Sequence, residues 1–322
     1  MAELNIKDDG RIGFGVYHLD PRWCSFEDFN WFVDKGYFNT YILNFDGGGG
    51  TTLSAARKVQ ETGGKAWLGS GDKGIYFSRK ESLSEYMQRI DKTVSIYKEK
   101  ELWDDTFLGF SFDEPLLKRG HTNQDLYDMT KALYETYGKR IFSVFSAYEV
   151  IGKKGNFDDP EGTLILEDFA TEYLTDIGHD NYAYDFRVPS TERMQNKYKE
   201  HSEQNPEIYD ARTFYKFYFD TLKDRVVNKK AKIWTFPCLY ETSTWMGKWS
   251  DEDYCVAHLK GLTDLLFEQE NIGGVMGYVF KSWSAEHRGL DYNLSRHNPN
   301  RWEKLEEAIY KTRERIENAS AK

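Results

Sequence analysis

Ile12-Gly-Phe-Gly-Val-Tyr17, running on into His18-Leu-Asp-Pro-Arg-Trp23, decides between two α/β architectures. The first part is an apolar run of strand length. In an open, doubly wound sheet the turn after such a first strand is glycine-rich, because backbone N–H groups must close on a phosphate there. Here the turn carries His18, Asp20, Pro21, Arg22 and Trp23 and offers no phosphate cradle. The Gly47–Gly50 run after the next strand lacks the Lys-Ser/Thr of a P-loop and the spacing of a dinucleotide turn, and reads as a loop.

Outward from that stretch, apolar runs alternate with amphipathic ones along the whole chain, the pattern of βα units around a parallel sheet. Ser25 is placed to cap a first helix, with Phe26, Phe29, Phe32 and Val33 on one face. Strands are expected at Thr40–Phe45, Lys65–Gly69, Phe107–Phe112, Arg140–Ser146, Thr175–His179, Lys232–Cys238 and Gly273–Val279. Between them the helical stretches start near Thr51, Leu83, Thr122, Ala211 and Ser250, where Glu252 is placed near the capping position. A Gly/Asp/Lys-rich loop at Gly152–Gly162 and a polar excursion at Arg187–Asp210 interrupt the rhythm, with a short helix expected near Glu167–Tyr173. A charged helix at Asn300–Asn318 closes the chain. Eight strands in this order predict a closed (β/α)₈ TIM barrel, with all 322 residues in a single domain.

Composition narrows the partners. The net charge of −10 argues against nucleic acid, whose backbone calls for a basic field. No stretch approaches the roughly 18 consecutive apolar residues that span a membrane, so no membrane insertion is expected. Met1–Gly10 is polar and charged and reads as no signal peptide. Cys24, Cys238 and Cys255 are too scattered for a disulfide framework or a zinc motif, and are expected as free thiols, buried or half-buried. The seven histidines show no metal-ligand spacing, so no metal or cofactor is expected. Aromatic residues reach 16%. Aromatic faces stack on the C–H faces of sugar rings, so this surplus points to a carbohydrate partner.

In barrels the working groups sit at the C-terminal ends of the strands. Those positions hold His18, Asp46, Asp113, Glu114, Glu149, Asp180, Tyr182, Asp185, Tyr240, Glu241 and Trp283, a ring of acids with interleaved aromatics. The sharpest signal is Gly109-Phe-Ser-Phe-Asp-Glu-Pro115, a hydrophobic strand ending abruptly in two acids and a rigid proline. The second is Cys238-Leu-Tyr-Glu241 after strand seven, roughly across the mouth from strand four. Glycoside cleavage needs one protonated carboxyl at the leaving oxygen and one ionised carboxylate at the anomeric carbon, and these two signals supply such a pair.

A Glu before Pro at the end of strand four, with a second Glu at the end of strand seven, resembles the clan A retaining glycoside hydrolases. The resemblance implies that Glu114 is the general acid/base and Glu241 the nucleophile. It departs at Asp113, where the clan carries an Asn that binds the sugar 2-hydroxyl. Asp113, His18, Asp46, Asp180, Tyr182, Asp185, Tyr240 and Trp283 are then expected to hold substrate. An inverting alternative keeps Glu114 as acid and takes Asp180 or Asp185 as base. A metal-assisted sugar-modifying barrel and a carbohydrate-binding barrel without turnover are the competing readings.

Overall fold

In a computed structural model of the chain, the described residues are 4, 10–17, 19–21, 24–43, 50–69, 75–76, 81–116, 120–146, 149–150, 171–182, 185–187, 210–242, 250–279, 281–282 and 287–321. Eight parallel strands close on themselves: β1 (Gly13–Val16), β2 (Thr40–Leu43), β3 (Lys65–Gly69), β4 (Phe107–Asp113), β5 (Arg140–Ser146), β6 (Asp176–Asp180), β7 (Lys232–Thr235) and β8 (Ile272–Gly277). The closure is explicit, since β1 pairs with β2 on one side and with β8 on the other. This is the (β/α)₈ barrel that the strand and helix order predicts.

Among the described residues the longer helices are α1 (Phe26–Asp34), α2 (Gly50–Glu61), α3 (Leu83–Glu99), α4 (Asn123–Tyr137), α5 (Ala211–Arg225), α6 (Glu252–Leu266) and α7 (Glu303–Ser320), with a short one at Leu290–Asn293. Their starts are chemical. Ser25 accepts from Asp28 N–H, and Ser82 with Glu85 and Thr122 with Asp125 close reciprocal capping boxes. The end of α4 is equally local, with Gly138 taking the left-handed conformation that a side chain would resist. At α6 the cap is Asp251, and Glu252 is the first helical residue. Phe26, expected on the buried face of α1, is 36% exposed, while Phe29, Phe32 and Val33 are buried.

The barrel is filled by large aromatics set against glycines. Trp67 and Trp234 meet edge-on at 6.0 Å, and Phe142 lies 5.2 and 5.1 Å from them. A Cβ at Gly13 or Gly274 would collide with the Trp234 ring, and one at Gly178 with Phe236. Below this plug Arg140 makes a two-point contact with Asp176, which also accepts from Trp234 Nε1 and Thr175 Oγ1 at 2.8 Å. Both charges are buried there and each is answered, as a buried charge must be.

One boundary differs in a way that bears on function. The apolar run Lys232–Cys238 suggests a long seventh strand; the continuous ladder stops at Thr235, breaks at Phe236-Pro237 and resumes as a single parallel bridge between Cys238 and Tyr278. Pro237 has no N–H to continue it. The chain instead follows β8 upward, Tyr278 donating to Pro237 O at 2.8 Å and Leu239 donating to Tyr278 O at 2.5 Å. Glu241 therefore does not directly follow the strand. It pairs with Arg288 in a short antiparallel ribbon, Glu241–Thr242 against His287–Arg288.

Candidate active site

Side chains alternate along β4. Phe110 packs outward on Trp103 and Tyr137, so Ser111 and Asp113 face the barrel axis. Beyond Asp113 the chain turns sharply, because Glu114 has φ +46° and Pro115 follows. A left-handed non-glycine residue is uncommon, and the position before proline is further restricted. The turn is accordingly held at every step. Tyr76 Oη accepts from Asp113 N–H and donates to Asp113 C=O, each at 2.5 Å. Glu114 N–H donates to Val144 O at 2.9 Å and His121 N–H to Pro115 O at 3.2 Å. Leu116 N–H donates to Glu149 Oε1 at 2.9 Å.

The floor of the mouth is the Tyr17 hydroxyl. Gly13 and Gly15 turn inward on β1, and Tyr17 continues that alternation to lie 5.6 Å from Phe236. Burial pushes the Tyr17 hydroxyl well up from its ordinary value, and Asp113, then Asp180, Tyr76 and Glu114, add to the shift. Two strand ends thus deliver three carboxylates to the surroundings of one phenol. Asp113, Glu114 and Asp180 are half-buried, above the buried Tyr17.

An aromatic wall stands beside them. Tyr182 stacks on Tyr278 at 4.8 Å, and Tyr240 meets both rings edge-on at 6.0 and 5.7 Å. Burial, then Asp180, raises the Tyr182 hydroxyl. The β6 loop is pinned from behind: Tyr215 Oη contacts His258 Nε2 at 2.7 Å and donates to Asn181 O at 2.9 Å, while His258 Nδ1 accepts from Cys238 N–H at 2.7 Å. Since Nδ1 accepts, Nε2 carries the proton, and the chain of bonds runs one way from α6 to the loop. Tyr254 Oη adds a bond to Tyr182 O at 2.6 Å.

The remaining expected residues divide clearly. Asp185 is engaged by Arg187 through both oxygens, at 2.9 and 2.7 Å; burial would raise its carboxyl, but those bonds hold it below the usual range. Tyr240 is buried, its ring stacked on His287 at 4.3 Å and its carbonyl accepting from Ser250 Oγ at 2.5 Å. Glu241 is about one-third exposed, with Arg288 Nη1 3.8 Å from its Oε2. Glu149, counted among the rim acids in the sequence, is fully buried and bonded to backbone. His18, Asp46 and Trp283 lie outside the described residues, as does the Gly47–Gly49 part of the glycine run. Cys238 and Cys255 are buried free thiols and Cys24 is half-buried.

Tyr17, Tyr76 and Tyr278 belong to the site and were not expected there. The two-residue period of β1 and β8 carries Tyr17 and Tyr278 inward and was available in the sequence, whereas Tyr76 comes from a loop with no periodic signal. Among the described residues no three His, Cys, Asp or Glu side chains gather in a metal-binding group, and no helix is long and apolar enough to cross a membrane. A cavity of about 650 Å³ lies elsewhere, lined by Arg11, Asn39, Gly63 and Arg313 near the N-terminal ends of the strands. Its arginines donate to the carbonyls of Gly63, Gly36 and Phe38, which makes it a seam between helix ends rather than a mouth.

No protein-family model matches the chain, and no curated protein matches its sequence. Solved structures do match. The GH5_18 protein of Streptomyces cattleya in complex with GlcNAc aligns with a TM-score of 0.57 at 10% identity, over 94% of this chain and 80% of that one. The β-galacturonidase of Eisenbergiella tayi bound to galacturonate gives 0.55 at 10% identity over 90% of this chain, and a Ruminococcus gnavus β-glucuronidase 0.51 at 13% over 95%. The chain spans about half the length of those two enzymes, 48% and 50%. At such identities the likeness shows the fold: a (β/α)₈ barrel of the kind on which these glycoside hydrolases are built.

Proposed function

We propose that this protein is a glycoside hydrolase acting on an oligo- or polysaccharide, with Glu114 as the general acid. The observation that supports it best is the gathering of Asp113, Glu114 and Asp180 around the Tyr17 hydroxyl, beside the Tyr182–Tyr278 stack. Half-buried carboxylates can deliver and withdraw protons, and flat rings at the same mouth suit a sugar face. The solved barrels with GlcNAc or galacturonate bound lend the substrate class further weight.

In the retaining form, Glu114 gives its proton to the leaving oxygen as the C1–O bond breaks, and Glu241 closes a bond to C1. Glu114 then takes a proton from the water that displaces Glu241. Asp113, Asp180 and Tyr182 are the holding groups nearest that chemistry, with Asp185, Tyr240, His18, Asp46 and Trp283 further candidates.

A second reading is favoured by the contact of Glu241 with Arg288 and by the nearness of Asp180 to Tyr17. In it a water deprotonated by Asp180 attacks C1, and Glu114 protonates the leaving group. The product's configuration decides between the two. On aryl glycosides, Glu114→Ala should lose about 10²- to 10⁴-fold with poor leaving groups and far less with activated ones. Glu241→Ala should be inactive on both if the mechanism retains, whereas Asp180→Asn should be the inactive variant if it inverts. Proton NMR of the first-formed product reads the configuration. Wild-type rates in Glu114→Ala on the poor leaving groups would end the assignment of the acid.

A further inference from the structure

Glu149 is a carboxylate with no exposed surface, and burying such a group is costly unless its charge is answered. Two backbone amides from different strand ends are among its partners. Oε2 accepts from Ser146 N–H at 2.7 Å, while Ser146 Oγ accepts from Glu149 N–H at 3.3 Å, which closes a Ser-x-x-Glu capping box just past β5. A capping box needs only one of the two oxygens. The other, Oε1, reaches across to Leu116 N–H at 2.9 Å, beyond the acidic turn of β4. Arg225 at the end of α5 fixes the brace from behind, donating to Glu149 O and Val150 O at 2.7 and 2.8 Å.

Between Leu116 and the acid stands Pro115, whose ring fixes its own φ. A tether on the Leu116 amide is therefore transmitted to Glu114 with little slack. Glu114 needs such a hold, because a left-handed residue before proline persists only where its surroundings over-determine it. We propose that Glu149 is a positioning residue: through the Leu116 amide it holds Glu114 in its left-handed conformation, with the carboxyl aimed into the mouth. Its catalytic consequence rests on Glu114 being the proton donor, and its structural consequence does not.

Glu149→Asp separates the two jobs. An Asp closes a capping box elsewhere in this chain, at Thr122 and Asp125, so the variant keeps the charge and the box. One methylene shorter, it no longer reaches Leu116. The first measurement is a crystal structure of the full-length variant. The barrel strands should superpose on the wild type, while the turn at 113–116 relaxes and Glu114 leaves positive φ. An unchanged turn overturns the proposal.

The second measurement is the leaving-group dependence of kcat on a series of aryl glycosides. Misplacing the proton donor should cost about a hundredfold with poor leaving groups. Activated leaving groups should be nearly indifferent, and KM should hold steady. Equal losses on both classes would mark a general structural defect and would also overturn it. Should Glu149→Asp fail to fold, Glu149→Gln carries the same two measurements, because an amide presents only one acceptor to two N–H donors. If the wild type cleaves no glycoside, the glycosidase reading falls, and the crystal structure of the variant still decides whether Glu149 sets the conformation of Glu114.

Discussion

Asp176 and Asp180 stand at opposite ends of β6, on the same face of the strand, and their surroundings differ in kind. Asp176 is sealed below the aromatic plug, where Arg140, Trp234 and Thr175 satisfy both its oxygens. Asp180 sits above the plug, half-buried and beside a phenol that also feels Asp113 and Glu114. The lower end of β6 has its buried charge answered, while the mouth above collects like charges and a left-handed residue. Stability is stored at one end of a short strand, and the tension that chemistry can use is kept at the other.

Breaking the lower pair should show the largest effect. Asp176→Asn leaves the Arg140 charge buried without its counter-charge, which costs about 3–5 kcal/mol. Denaturant unfolding measures it, and the folded fraction should keep its activity. A loss under about 1 kcal/mol would mean that the two ends do not differ as described.

His179 sharpens the contrast from within β6. It points outward, packed against Tyr218 and Phe219 at 5.2 and 4.8 Å, and burial lowers its pKa to about 3. The folded value lies below the unfolded value of about 6.5, so the unfolded chain binds the extra proton first as pH falls. Its contribution is fully present above about pH 6.5 and is lost progressively down to pH 3, amounting to about 2 kcal/mol by pH 5. The pH dependence of wild-type stability should be steeper by that amount than in His179→Phe. Parallel curves would refute it.

The smallest effect has the opposite sign. Glu114→Gly removes a side chain from positive φ and should stabilise the protein by about 1 kcal/mol, even as it abolishes the proposed proton donor. A thermal melt reads the gain, and a destabilised variant would show that the turn stores no strain.

Much of this was legible beforehand because local chemistry and burial agreed. Lys65–Gly69 and Arg140–Ser146 are bounded in the structure where their apolar runs are bounded in the sequence, and Ser25 and Gly138 mark helix ends by capping alone. The run through Phe236-Pro237-Cys238 misleads because apolarity reports burial and not hydrogen bonding. Those residues are packed, but the ladder breaks at Phe236-Pro237 and returns only as one bridge at Cys238. Glu149 was readable as a backbone brace from its spacing to Ser146, but its proximity to the mouth placed it among the rim acids. Asp113 and Asp180 end their strands, and β-strand alternation fixes their direction. Tyr76 was not readable, since only the folded chain brings its hydroxyl onto the backbone of Asp113.

The size match inside the barrel also bears on how the chain can change over generations. Trp234 occupies the space that side chains at Gly13 and Gly274 would need, and Phe236 that of Gly178. Enlarging a glycine is harmful while its aromatic neighbour is large, and shrinking the aromatic first opens a void. Each such pair must drift together or not at all, so related sequences should carry Gly with a bulky ring or a larger residue with a smaller one at these positions, and the order in which substitutions arise will decide which lineages remain open.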